Sequence, residues 1–468
     1  METTEQSART HSRSLWRAEL RAMTALALPL VGANLLQMAV YAVDVMFVAR
    51  LGTVEFAAAT LGVFLQSLAL WGLIGLTGAC APIIAAELGR KTHAVREVRR
   101  SFRMAMWLSV LASLPLMLVL ANGETILRFA GQDPLVAARA GAFLDIALFC
   151  LIPGVASGVM RNVSAALGRP SWALIITALA LGMGIITNWI FVLGHLGMPA
   201  LWLEGSALAS VITSVAMCLA WGAVLRFDAK LRRYHLFGRW WRTEWSRMIE
   251  IVKLGTPIAL AWTMEGALFG GAAVLMGLIG VAEVAAHGVA LNIAALAFQV
   301  PLGVAQAATI RVGLAYGGAN PGGVQRAGWT AIILGTGFMV ITALLMWAAP
   351  LMLVSIYIDT SAPENARTTA LAINFLLVAA LFQLFDGAQV VGAGALRGLQ
   401  DARVPMLYAG FGYWIAGFGT AIVLGFYTPL AGQGIWLGLA TGLAVVSALM
   451  LRRFARRERL GLVPHHPA

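Results

Sequence analysis

Charge is scarce in this sequence: 12% of its 468 residues are Asp, Glu, Lys or Arg, against roughly 25% in an ordinary soluble domain. With 60% of residues hydrophobic and a mean hydropathy of +0.82, a water-soluble globule is excluded. Cysteine is scarcer still. Cys80, Cys150 and Cys218 all lie in apolar stretches, with no CxxC spacing and no even-numbered framework, so neither a disulfide scaffold nor a zinc site is indicated. HExxH and GxSxG motifs are missing too, which removes the common signatures of metalloprotease and hydrolase chemistry. The first apolar stretch has spanning length and lacks a small-residue cleavage pattern, so it is expected to remain as a span and not to be removed as a signal peptide.

What is present is a series of apolar runs, each long enough to cross about 30 Å of hydrocarbon as a helix. Twelve are predicted, at 23–49, 56–86, 98–121, 137–160, 170–194 and 203–225 in the first half and at 249–278, 284–312, 328–350, 366–392, 404–427 and 432–451 in the second. The predicted architecture is an all-α polytopic membrane protein: a segment 1–22, a six-helix lobe 23–225, a basic linker 226–248, a second six-helix lobe 249–451 and a basic tail 452–468.

The net charge of +12 could mark a nucleic-acid binder, but it sits between the apolar runs. Basic residues collect before span one (Arg9, Arg13, Arg17, Arg21), after span two (Arg90, Lys91, Arg96, Arg99, Arg100, Arg103), from Arg226 through Lys253, and after span twelve (Arg452, Arg453, Arg456, Arg457, Arg459). All four clusters fall on one side. Short cytoplasmic loops carry such an excess, so both termini are expected in the cytoplasm. In 226–253, eight Lys and Arg are interleaved with Trp240, Trp241 and Trp245. A surface helix on an anionic leaflet explains this better than a nucleic-acid patch.

The second half repeats the first. A shift of 228 positions aligns Pro29 with Pro257, Gly52 with Gly280, Glu55 with Glu283, Gly75 with Gly303 and Gly89 with Gly317. Because each half has an even number of spans, the two lobes run in the same direction, related by an axis along the membrane normal, and their interface is expected to hold the pathway. Pro29, Pro257 and Pro301 each remove a helix hydrogen bond inside a span and permit kinks.

Acids at bilayer depth are costly and call for a partner, a cavity or an ion. Asp44, Asp145, Glu265 and Asp386 stand out. Glu265 shares a helical face with Trp262 and Phe269; Asp386 sits at three-residue spacing from Gln383 and Gln389; Asp44 shares a face with Gln37 and Tyr41. Asp145 lies nearer the outer end of its span, where a water-filled vestibule is an alternative. The repeat does not duplicate these acids, since Glu265 corresponds to Gln37 and Asp44 to Ala272. Separate tasks for the two lobes follow, the competing explanation for each acid being a satisfied interhelical hydrogen bond.

Several of these stretches resemble the multidrug and toxic compound extrusion (MATE) transporters, most of all the bacterial NorM-like branch. The likeness is carried by Leu28-Pro-Leu, Asn34-Leu-Leu-Gln37 and Val43-Asp-Val-Met-Phe-Val-Ala-Arg-Leu-Gly52 in span one, by Ala285-Ala-His-Gly-Val-Ala-Leu-Asn292 and Thr309-Ile-Arg-Val-Gly313 in span eight, and by the stretch from Asp386 to Gly398 followed by Asp401. The resemblance implies a Na+- or H+-driven antiporter of the bacterial inner membrane that exports lipophilic cationic drugs and dyes through a V-shaped cleft between two lobes. Glu265 and Asp386 would bind the coupling cation, with Na+ a possible ligand, while Asp44 and Asn188 would form a protonatable site in the first lobe. No cofactor, nucleic acid or obligate protein partner is implied; the partners would be small cations and membrane lipid. The sequence departs from the family pattern at Gly184, Gly288 and Gly417-Phe-Gly419.

Two rival functions remain. A lipid-linked precursor flippase would want cationic residues in the cleft, but Arg161, Arg311 and Arg397 fall near the inner ends of spans. A membrane-embedded enzyme would need facing catalytic groups at depth, whereas His195 and His287 fall at outer helix ends. A passive channel is disfavoured by the repeat and the buried acids.

Overall fold

The computed structural model describes residues 2–91 and 93–463, with side chains described from Arg13 onward. Among these residues every regular element is helical. Twelve helices are long and apolar enough to cross a membrane: α1 Arg13–Leu51, α2 Thr53–Arg90, α3 Ala94–Leu120, α4 Pro134–Ala166, α5 Ser171–Phe191, α6 Trp202–Phe227, α7 Trp245–Ile279, α8 Val281–Gly317, α9 Pro321–Ala348, α10 Pro363–Gly398, α11 Arg403–Phe426 and α12 Gly432–Ala455. Each predicted span lies on one of them. Most of the helices overrun the apolar runs, as α1 does in being helical from Glu2 and not from residue 23, because polar residues can continue the backbone ladder past the hydrocarbon.

Local chemistry fixes several helix ends. Asp133 accepts hydrogen bonds from the Leu135 and Val136 amides at 2.8 and 3.3 Å, and Pro134 follows at the first helical position of α4. Asn320 accepts from Gly323 at 2.8 Å, with Pro321 opening α9. Both are caps followed by a residue whose missing N–H has no partner to lose. Pro29, Pro257 and Pro301 sit inside uninterrupted helices.

The chain forms two compact units, one holding the chain up to Val31 together with everything from Ala261, the other holding Gly32–Leu260. The chain therefore changes unit inside α1 and α7, shortly after Pro29 and Pro257, and not in the polar segment 226–248. Helix contacts explain why. Within the first unit, a Cβ on Gly303 of α8 would lie 2.5 Å from Val31 Cγ2 and 2.8 Å from Val31 N; within the second, a Cβ on Gly75 of α2 would lie 2.8 Å from Ala259 Cα. Both pairs obey the repeat, since 303 − 75 and 259 − 31 each equal 228. Only glycine permits backbones this close.

Ion pairs follow the repeat as well. Glu55 meets Arg139 at 3.3 Å and Glu283 meets Arg367 at 2.8 Å, and 367 − 139 is again 228. At the other end of the helices the signs are exchanged. Glu19 of α1 takes a two-pronged contact from Arg311 of α8 at 2.8 and 2.5 Å. Its repeat counterpart on α7 is Arg247, which reaches Glu97 at 2.5 Å, Glu250 at 2.8 Å and Glu87 at 3.5 Å.

Between α6 and α7 the expected surface helix is not found. Residues 228–244 form turns with one short 3-10 segment, Arg232–Tyr234. The turns are pinned to α3: Trp107 donates to the Trp240 carbonyl at 3.2 Å, Arg103 to the Arg239 carbonyl at 3.1 Å and to Glu244 at 2.6 Å, and Phe102 packs edge-on against Phe237. Tertiary partners on α3 therefore override any amphipathic helix. Trp241 and Trp245 stay exposed.

Filling either glycine contact should split a helix pair. Gly303→Val and Gly75→Val are each expected to cost about 1–3 kcal/mol through overpacking, seen as a lower apparent Tm and a smaller monodisperse fraction after purification. Gly337→Ala, where nothing lies within 4 Å of the added carbon, should leave both unchanged.

Candidate functional site

In the unit that holds everything from Ala261, α7 and α10 meet at two points. Phe269 of α7 packs edge-on against Phe382 of α10 with centroids 6.0 Å apart. One turn along each helix stand Glu265 and Asp386, within electrostatic reach of each other. Asp386 is buried and its Oδ1 has no hydrogen-bond partner; Glu265 is half-buried. Tyr413 of α11 hydrogen-bonds to Glu265 and itself accepts from Gln389 Nε2 at 2.7 Å, leaving Gln389 Oε1 buried without a partner.

One cation attends this group. Arg397, three turns beyond Asp386 on α10, interacts electrostatically with Glu265 and stands 5.7 Å over the Trp262 ring. Two carboxylates and one guanidinium leave one negative charge when all are ionised. Among the described residues no three His, Cys, Asp or Glu side chains converge as a metal centre. Two carboxylates, an amide oxygen and a phenol are the oxygen-only donor set suited to a proton or a hard cation.

Tyr413 owes its place to an unusual turn. Residues Phe411–Phe418 of α11 are π-helical, a rare geometry often found at functional positions. Here Gly412 and Gly417 close against Gly442 of α12. Of Gly417-Phe-Gly419, where the sequence departs from the family pattern, the first two residues end this widened turn and Gly419 begins the α-helical remainder of α11.

The polar stripe predicted on α10 divides. Residues three apart along a helix drift in angle, so six residues separate Gln383 from Gln389 by about a third of a turn. Gln383 is fully buried and donates to Thr342 Oγ1 of α9 at 2.8 Å. It ties α9 to α10 and does not join the acids.

The second unit has its own cluster. Asp44 of α1 accepts from Asn188 Nδ2 of α5 at 2.7 Å and from Ser210 Oγ of α6 at 3.3 Å. Asn188 is fully buried, donates also to the Gly184 carbonyl at 2.9 Å, and keeps its own Oδ1 unpartnered. Tyr41 hydrogen-bonds to Gln37 and lies within electrostatic reach of Asp44 and of Arg161. Asp145, by contrast, is exposed beside Phe149 one turn on, which is 57% exposed, and joins no cluster.

Sequence reasoning named the acids and Asn188 but missed Ser210, Tyr413, Arg161 and Arg397 as their neighbours. Serine and tyrosine are common in apolar helices, and the two arginines were placed by chain position near span ends. A long side chain reaches further than that: Arg161 Nη1 stands 3.5 Å from Asn34 Oδ1, near the middle of α1.

Similarity to known proteins can be set beside this geometry. A sequence model of the MatE family matches residues 29–190 and again 257–423, and the two matches begin 257 − 29 = 228 residues apart, the offset of the internal repeat. Among curated relatives, "Probable multidrug resistance protein NorM" of Mesorhizobium japonicum is 47% identical over 447 residues, covering 96% of each chain. "Multidrug resistance protein NorM" of Burkholderia vietnamiensis is 35% identical over 432 residues, covering 92% of each. Among solved structures, a substituted form of the Vibrio cholerae MATE transporter VcmN superposes with a TM-score of 0.85 over 95% of this chain and 98% of that one at 15% identity. An outward-facing multidrug resistance MATE family transporter of the MOP superfamily gives 0.84 over 94% and 96% at 20% identity. These distant structures share the fold; the relatives and the doubled match carry the assignment, and the chain belongs to the MatE family.

Proposed function

We propose that the chain is a multidrug efflux transporter, an antiporter that exchanges Na+ or H+ for lipophilic cationic drugs and dyes by alternating access. The names of its relatives and its family support efflux. The observation that carries the coupling is the uncompensated charge of the Glu265, Asp386 and Arg397 group, with acceptor oxygens on Asp386 and Gln389 that have no partner. A buried group with one negative charge in excess is stabilised by taking up one proton or one monovalent cation. Protonation of such a pair belongs to the pair and not to either residue.

Exchange follows from competition. An organic cation and the coupling ion are drawn to the same kind of site, and each shifts the conformational equilibrium only by its differential affinity for the two states. The first-lobe cluster around Asp44 offers a second carboxylate, held in orientation by Asn188 and Ser210. The clustering of Arg and Lys on one side of the spans supports a bacterial inner-membrane orientation with both termini in the cytoplasm.

Glu265→Gln and Asp386→Asn keep shape and remove charge. Each is expected to reduce ion-driven ethidium export at least tenfold while the protein still inserts into the membrane, measured in inverted vesicles with a Na+ pulse and a pH jump applied separately. Retained export in both variants would refute the assignment. Tyr413→Phe deletes one hydrogen bond to a carboxylate, an interaction worth about 1.5–3 kcal/mol. With H+ as the coupling ion it should lower the proton concentration needed for half-maximal export roughly tenfold, because the carboxylate loses a donor that favours its ionised form, and leave the maximal rate little changed.

A further inference from the structure

His287 of α8 is 2% exposed, and neither of its ring nitrogens has a hydrogen-bond partner among the described residues. A neutral imidazole carries one donor and one acceptor, and burying both unmade is costly. The ring lies against Trp436 of α12 with centroids 5.3 Å apart, and the Trp436 Nε1 is itself buried without a partner. Trp436 in turn packs edge-on against Phe382 at 5.4 Å, and Phe382 against Phe269. Four rings from α8, α12, α10 and α7 thus form one row. It ends one turn from Asp386 and Glu265, on the side away from the basic clusters, which is the outer side in the proposed orientation.

Solvent reaches the far end of this row. One turn before His287 stands Glu283, buried, with Oε1 accepting from Arg367 Nη2 at 2.8 Å and Oε2 unpartnered. The Arg367 side chain is 75% exposed. At the inner end the unpartnered atom is Asp386 Oδ1. Between these ends α7, α8, α10 and α12 carry no titratable side chain except His287, and the outer halves of α9 and α11 carry none. The groups around the imidazole are therefore Glu283 and Arg367 on the outer side, and Asp386, Glu265 and Tyr413 on the inner side.

The repeat shows that packing six helices does not call for these polar atoms. The pair Glu283 and Arg367 has its counterpart in Glu55 and Arg139, but His287 corresponds to Ala59. With the offset 434 − 205 = 229 that pairs Gly434 with Gly205, Trp436 corresponds to Ala207. Ala59 and Ala207 lie together in one apolar core of the first lobe. The imidazole and the indole thus occur only in the lobe that holds Glu265 and Asp386. We propose that His287 passes protons between the outer side and the Glu265–Asp386 pair through the interior of the second lobe. One ring nitrogen accepts a proton delivered past Glu283, and the other releases its proton toward Asp386 Oδ1 through water bound by the Trp436 N–H. The ring is then neutral again in its other tautomer, and one proton has moved. This rests on the reading of the acids as the coupling site and adds the route by which a proton reaches them.

A relay changes how fast protons move and not how many, which separates it from a binding or a packing role. The full-length protein in phosphatidylcholine nanodiscs is mixed with saturating ethidium in a stopped-flow instrument, and a pH-indicator dye reports the protons displaced. His287→Phe keeps a ring against Trp436 and removes both unmet nitrogens, so its Tm should equal or exceed that of the wild type. It should release the same number of protons and bind ethidium with the same affinity, but release the protons roughly tenfold more slowly. His287→Gln, polar but not titrating, should be equally slow and decides the matter if the phenyl ring does not fit. Release at the wild-type rate in a folded variant, or fewer protons released at an unchanged rate, would overturn the relay. Ethidium binding by the wild type without proton release would overturn it too and leave an efflux transporter coupled to Na+. Failure of the wild type to bind ethidium would overturn the cation-export reading as well.

Discussion

A carboxylate carried into the interior of a helical membrane protein must be neutralised there, and the site in the unit that holds Glu265 and Asp386 is organised around one such charge that its neighbours do not neutralise. Glu265 of α7 and Asp386 of α10 lie within electrostatic reach of each other, and one turn along each helix Phe269 packs against Phe382. Arg397 cancels one charge, and Tyr413 and Gln389 supply hydrogen bonds without cancelling any. Everything else at the site serves to hold an acidic group at this depth in a state that a mobile ion completes.

The repeat shows which constraints are architectural and which are chemical. The glycine contacts at Gly75 and Gly303 and the ion pairs at Glu55 and Glu283 occur twice, 228 residues apart, so they belong to the way six helices pack. The interior acids occur once each. Between the two kinds stand Glu19 and Arg247, equivalent positions that keep an ion pair but exchange its sign. A pair survives such a reversal when its partner changes with it, which marks the contact and not the charge as what the fold requires.

Much of this was legible in the sequence. Twelve apolar runs of spanning length leave few alternatives in lipid, where each backbone group must be satisfied within its own helix. An acid in such a run is conspicuous, so Asp44, Glu265 and Asp386 were found by inspection. Their partners were not, because a hydrogen-bonding serine such as Ser210 looks like any other small residue in an apolar helix. Gln383 was misplaced beside the acids because three-residue spacing resembles a stripe only over a single turn. The segment 228–244 reads as amphipathic, but Trp107, Arg103 and Phe102 of α3 hold it in turns that its own composition does not specify. The change of unit inside α1 and α7 was hidden for a similar reason: contacts decide it, and the polar linker that marks a boundary in the sequence lies elsewhere.

That change of unit has a consequence for how the chain is made. Val31 finds its partner at Gly303, which leaves the ribosome 303 − 31 = 272 residues later. At about 5–20 residues per second this is a wait of roughly 14–54 s. Throughout that interval the first half of α1 is in the bilayer with Glu19 unpaired and its glycine groove not yet synthesised. The amino-terminal half of this protein is thus an unfinished object at the moment its own last helix is complete, and the second half closes it.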